Sequence, residues 1–176
     1  EDKFSFVLAN LAYAAAYSNQ KDLAKQLTEL AQYYNEKSLK ASPKNVLYWK
    51  TKAKNEYVFY QADVDQQKIK RGITALVQAQ QLAPTDVKIP YSEALFYSLL
   101  YDNEKAEKQQ EKYQQLSLTE VNKAIALKPD MRDAYFLKAQ LLKKYKLNKE
   151  AKTVFEFILD NFDPQDAEVK KELQDL

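Results

Sequence analysis

The stretch LKPDMRDAYFLKAQLLKKYKLNKEAKTVFEFILDNFDPQD, residues 127–166, contains one complete structural unit. Proline begins and ends it, at Pro129 and Pro164, and proline fits the first turn of a helix but not its interior. Between the prolines, apolar residues recur every three or four positions in two successive runs, which is the period of an amphipathic helix. The stretch therefore predicts two helices joined by a short turn.

The same unit recurs along the chain. Prolines lie at Pro43, Pro84, Pro129 and Pro164, at intervals of 41, 45 and 35 residues, and such spacing is typical of a repeat array. Before two of these prolines the apolar residues keep the same offsets: Ile73, Leu76, Ala79, Leu82, and Leu118, Val121, Ala124, Leu127. The pattern predicts one domain over 1–176, with helix pairs at about 4–41, 44–83, 86–128 and 131–161 and a capping helix at about 164–176. Residues Ser42, Thr85, Asp130 and Asp163 are the predicted helix N-caps.

Composition favours an all-α chain that binds rather than catalyses. There is a single glycine, Gly72, too few for the turns of a sheet protein. Without cysteine or histidine, the commonest metal ligands and the commonest general base are missing. No phosphate loop or nucleophile elbow occurs, so we predict no enzyme, no metal and no cofactor. A net charge of +2 with interleaved signs gives no reason to expect nucleic acid.

The most apolar segment, FSFVLANLAYAAAY at 4–17, is too short to span a membrane, and we predict a buried helix there.

The units resemble the tetratricopeptide repeat (TPR). In the fourth pair the resemblance rests on Tyr135, Ala139, Leu142, Ala151, Phe155 and the following Pro164. Two residues of the third pair, Leu95 and Ser117, replace the small residues of the template. The resemblance implies a right-handed superhelix of about four antiparallel helix pairs and a non-catalytic scaffold that binds a peptide or partner protein in a concave groove.

In proteins of this family, the first helix of each pair lines the groove. Carried over to this sequence, the groove candidates are Lys50, Lys54, Tyr57, Ser92, Phe96, Leu99, Phe136, Gln140 and Lys143. Aromatic faces among lysines suit an extended chain with apolar anchors and some negative charge. The alternative for Phe96, Leu99 and Phe136 is packing against neighbouring helices, and for the lysines a solvated face.

Phrases such as LAPTDVKIPYSEAL at 82–95 also resemble the soluble C-terminal TPR tails of bacterial O-antigen ligase or polymerase-like membrane proteins. This second resemblance implies an alternative function, an extracytoplasmic tail of a glycan-assembly protein. A lysine cluster at 138–152 fits contact with an anionic polysaccharide, or simply the negative end of a helix dipole. The compartment and the oligomeric state are left open.

Overall fold

A computed structural model describes residues 1–176 as nine α-helices without strands. The helices are α1 (Asp2–Tyr17), α2 (Lys21–Ala41), α3 (Val46–Asp63), α4 (Gln66–Leu82), α5 (Lys88–Asn103), α6 (Glu107–Leu127), α7 (Arg132–Lys144), α8 (Asn148–Asn161) and α9 (Ala167–Gln174). Adjacent helices pack as pairs, α1 with α2, α3 with α4 and α7 with α8, and α5 meets α6 where Ala94 packs with Val121. The expectation of an all-α chain with four helix pairs and a final helix is confirmed.

The chain divides into two compact units, Glu1–Ile89 and Pro90–Leu176, called unit 1 and unit 2 below. The division falls in the first turn of α5. None of the nine helices combines the length and the hydropathy that a membrane-spanning segment requires.

The turns around the prolines are one to three residues longer than the pattern suggested. The capping side chain lies two residues after the proline: Asn45 Oδ1 accepts from Leu47 N at 3.0 Å, and Asp86 Oδ1 accepts from Lys88 N at 3.0 Å. Asp166 does the same for Val169 N at 3.1 Å. The N-caps are therefore Asn45, Asp86 and Asp166, because proline and the residue after it occupy the turn itself.

In unit 1, α1 packs on α2 and α3 through one face. Leu8, Ala9 and Ala12 are buried with Ala31 of α2 and Val58 and Phe59 of α3. On its other face Phe4, Val7 and Leu11 are 49%, 51% and 50% exposed. The prediction of a buried helix is thus right for one face of α1 and wrong for the other, because an apolar sequence does not itself bring a neighbour to every side.

A polar network ties α1 to the next two helices. The buried carboxylate of Asp2 accepts from Thr51 Oγ1 at 2.8 Å and from Asn35 Nδ2 at 3.4 Å. One turn further along, Asn55 Nδ2 donates to Ser5 Oγ at 3.1 Å. Buried polar groups need such partners, so the network sets the register of α1 against α3.

Two features mark the ends of α3. In its first turn, the half-buried Trp49 turns its ring back and donates from Nε1 to the Pro43 carbonyl at 2.8 Å. After its last residue, Val64 adopts the left-handed conformation with φ 58° and ψ 25°. A β-branched residue is strained there.

Unit 2 has two apolar clusters. One joins Ala94 of α5, Val121 of α6 and Leu137, Leu141 and Tyr145 near α7. The other surrounds the fully buried Phe155 of α8 and includes Val169 of α9. The last helix, α9, is thereby packed on α8. Arg132 of α7 also holds the N-terminus of α9, because it donates to Asp166 Oδ2 from Nε at 2.9 Å and from Nη2 at 2.7 Å.

The departure of Ser117 from the repeat template has a structural explanation. Its hydroxyl is fully buried and lies 2.6 Å from the hydroxyl of Tyr145, which is 7% exposed. Burial raises the pKa of Tyr145 to about 12, although the hydrogen bond with Ser117 works the other way. A hydroxyl at position 117 therefore gives a buried tyrosine its partner, which alanine could not do.

Candidate functional site

The groove candidates of α3 lie on one exposed row of the helix. Leu47, Lys50, Lys54, Tyr57 and Gln61 follow one another at spacings of three and four residues, which places them on a single side. Leu47 is 51% and Tyr57 37% exposed. The adjoining side of the helix carries buried Thr51, Asn55 and Val58, so the row lies along the edge of the contact between α3 and α1.

A matching row runs along α1: Lys3, Phe6, Asn10, Tyr13 and Tyr17. The two rows adjoin, because Lys54 Nζ lies 5.8 Å from the centroid of the Phe6 ring. Phe6 is 37% and Tyr17 85% exposed. We call the two rows together the first-helix face of unit 1.

The first-helix face combines positive charge with aromatic surface. Among its ten residues are three lysines and four aromatic residues but no aspartate or glutamate. Neither Lys3 nor Lys54 forms an ion pair with a carboxylate. Their charge is available to a ligand, and water screens it less where an aromatic ring lies beside the ammonium group.

Lys50 is held by an acid at the edge of the face. Its Nζ lies 2.7 Å from Asp86 Oδ2. Burial works against ionisation of Asp86, but hydrogen bonds from Lys50 and from the Lys88 backbone N–H outweigh it and lower the pKa of the carboxyl. Lys50 therefore positions the turn before α5, and less of its charge remains for a partner.

In unit 2 the candidate residues are mostly engaged within the protein. Phe96 is 7% and Phe136 8% exposed, and the Phe136 ring packs against Phe155 with the Arg132 guanidinium 4.4 Å above it. Lys143 Nζ is bonded to Glu172 of α9 at 2.8 Å. Ser92 and Leu99 are half-buried, whereas Gln140 is exposed. That these six residues contact a partner stays a prediction.

Ion pairs also reduce the charge of the lysine cluster at 138–152. Besides Lys143, Lys144 is paired with Asp102 at 2.8 Å and Lys152 with Glu156 at 3.8 Å. No group of three or more acidic residues is placed to hold a metal ion.

The α1 row was missed at the level of sequence. The first pair matches the repeat template weakly, so no groove residue was carried over to it. The signal was nevertheless present, as polar and aromatic residues at 3, 6, 10, 13 and 17 interrupt an otherwise apolar helix at helical spacing.

Comparison with known proteins gives a clear answer for the fold. No family model matches the sequence, and no curated protein sequence does so either. Among solved structures, the chain is similar to TTC0263, a thermophilic TPR protein of Thermus thermophilus, with a TM-score of 0.64 and 14% identity over 99% of this chain and 98% of that one.

The chain is also similar to human IFIT1. The dimer with PPP-AAAA matches with a TM-score of 0.60 and 16% identity over 88% of this chain, and the dimer with m7Gppp-AAAA with a TM-score of 0.56. The chain spans about a third of the length of IFIT1, 32%. At these identities the likeness concerns the fold alone, and together with the paired helices and the proline-bounded units it shows that the chain has the tetratricopeptide-type helix-pair fold.

Proposed function

We propose that the protein is a non-catalytic interaction scaffold and that the first-helix face of unit 1 binds an extended peptide segment of a partner protein. The peptide carries acidic side chains and at least one apolar anchor. The observation that carries the proposal is the composition of the face, which brings three lysines together with four aromatic residues, three of them exposed, and contains no carboxylate.

The chemistry of the ligand follows from that composition. Exposed aromatic side chains lose little conformational entropy on binding and contribute most where they are buried by a partner. Lys3 and Lys54 supply charge that selects acidic residues and repels basic ones. An acidic, partly apolar peptide is therefore the ligand that satisfies both parts of the face.

The first test is a binding titration with a labelled synthetic peptide of alternating glutamate, leucine and tyrosine. We expect Lys54→Glu to weaken binding by roughly three- to tenfold, the range that loss of an exposed charge contact gives, and we expect added salt to weaken binding as well. Lys50→Glu is a poor probe because it would place two acids together at Asp86.

Lys70→Glu is the matched control, since Lys70 is an exposed lysine of α4 outside the face. It should leave the affinity unchanged. Equal losses for both variants, or equal binding of a peptide with lysine in place of glutamate, would refute the proposal. Displacement of the peptide by PPP-AAAA, the ligand of the IFIT1 structure, would favour a nucleic acid ligand instead.

A further inference from the structure

An uncharged surface lies on the outer side of the first helix pair. Helix α1 meets α3 through Asp2, Ser5 and Ala9, and the surface lies on the opposite side of α1. Its positions follow one another at spacings of three and four residues: Phe4, Val7, Leu11 and Ala14 in α1, and Leu23, Leu27, Leu30 and Tyr34 in α2. The two rows adjoin, because the ring centroids of Phe4 and Tyr34 are 5.1 Å apart. Tyr33 lies at the edge, with its ring centroid 5.3 Å from that of Tyr34. We call these residues the outer face.

The outer face carries no charged side chain, although 30% of the residues of the chain are charged. The exposed charged residues of α2 lie on a separate row of that helix: Asp22, Lys25, Glu29, Glu36 and Lys40. The last helix is different, since α9 buries Val169 and exposes Glu168, Lys170 and Lys171. Terminal units of helix-pair arrays need such a polar outer surface to stay in solution. The outer face of the first pair is therefore better suited to a protein partner than to water.

The size of the outer face matches one half of a homodimer interface. Its large apolar side chains are between 40% and 57% exposed: Phe4, Val7, Leu11, Leu23, Leu30 and Tyr33. Together they offer on the order of 500 Å² of apolar area. A standard interface takes about 800 Å² from each partner, and in homodimers about 65% of it is apolar, which is also about 500 Å².

Two copies of the chain also match in charge. In a two-fold interface a surface meets itself, so a charged centre would repel its own copy, and the outer face has no such charge. At one end of the face, Glu1 Oε1 and Lys37 Nζ are paired at 2.7 Å. A two-fold axis parallel to the helices lays α1 of one copy on α2 of the other. Each Glu1 then approaches the Lys37 of the other copy, so opposite charges meet.

We propose that the protein forms a homodimer through the outer face, with α1 of each copy packed on α2 of the other. The interface is separate from the peptide-binding residues, because Phe6, Tyr13 and Tyr17 lie on a third side of α1. The dimer therefore presents two first-helix faces.

The dimer can be tested by sedimentation velocity of the full chain between about 1 μM and about 100 μM. We expect the wild type to move from the mass of one chain to that of two over this range. Leu11→Lys places a charge at the centre of the interface and should raise the dissociation constant at least about tenfold. Leu82→Lys is the control, since Leu82 is an exposed leucine of α4 outside the outer face, and it should dimerise as the wild type does. A monomeric wild type at every concentration, or equal dimerisation of wild type and Leu11→Lys, would overturn the proposal.

A second measurement locates the interface. The chain has no cysteine, so Leu11→Cys and Leu82→Cys each contain one thiol, whose rate of modification by a maleimide reagent can be followed. The thiol at position 11 should react more slowly at the higher protein concentration, whereas the thiol at position 82 should react at one rate throughout. If the chain dimerises but position 11 reacts at the same rate at both concentrations, the copies meet through another surface and the proposal is wrong. A monomer that binds phosphatidylcholine vesicles, and loses this binding in Leu11→Lys, would assign the outer face to a lipid surface instead.

Discussion

At the scale of the residue, the buried carboxylate of Asp2 shows how a helix array fixes its register with a few polar groups. Because Asp2 has no cation beside it, its charge depends on Thr51, Asn35 and the start of α1. We expect Thr51→Val, which keeps the shape of the side chain, to lower the free energy of unfolding by about 1.5–3 kcal/mol, the usual loss for a hydrogen bond to a charged group.

Chemical denaturation measures this change, and Thr74→Val is its control. The hydroxyl of Thr74 is exposed and bonds only a carbonyl of its own helix, Lys70 O at 3.0 Å, so its loss should cost much less. If the two variants are equally stable, the Asp2 network does not stabilise unit 1.

The contact between Asp2 and Thr51 could not be predicted from the sequence. Thr51 lies 49 positions from Asp2, and no periodicity connects them. A polar residue on the inner side of a helix is visible in the sequence as an exception, but its partner is fixed only when the helices are packed.

At the scale of the element, the helices themselves follow from proline spacing and apolar period, whereas their ends depend on local backbone chemistry. Val64 ends α3 with φ 58°, where glycine is favoured. Its side chain is 53% exposed, so little packing is lost on removing it. We predict that Val64→Gly raises the free energy of unfolding by about 0.5–1 kcal/mol.

Val77→Gly is the opposite case. Val77 is 38% exposed in the interior of α4, where glycine is a poorer helix former than valine by a few tenths of a kcal/mol and the packing of the covered part of the side chain is lost as well. Thermal melts of the two variants should therefore shift in opposite directions. A loss of stability in both would mean that the turn at position 64 is not strained.

For the predicted groove residues too, the sequence predicts the side of the helix, but packing between helices decides whether that side is exposed. Lys54 and Tyr57 are exposed, as a groove residue must be, because the repeat register placed them on the outer side of α3. Phe96 and Phe136 have the same register but are buried, since a large apolar side chain on a helix is usually covered by a neighbour. Register decides the side of a helix, and packing decides whether that side is open.

At the scale of the whole molecule, most of the packed helix pairs join helices that follow one another in sequence, and α1 on α3 is the exception. Loops closed by such contacts are short, so the entropy lost before contacts form is small. We expect the main folding phase to be complete within milliseconds, measured by stopped-flow circular dichroism. A dominant phase of seconds would indicate that distant contacts limit folding.

The position of Trp49 has a practical consequence for such experiments. It is the single tryptophan of the chain and belongs to α3 of unit 1, with its indole N–H bonded to the Pro43 carbonyl. Tryptophan emission is therefore an optical reporter of the surroundings of one helix pair, whereas tyrosine absorbance and circular dichroism sum over both units. Transitions that coincide in all three signals would mark one cooperative unfolding event, and emission that changes alone would identify unit 1 as the part that has opened.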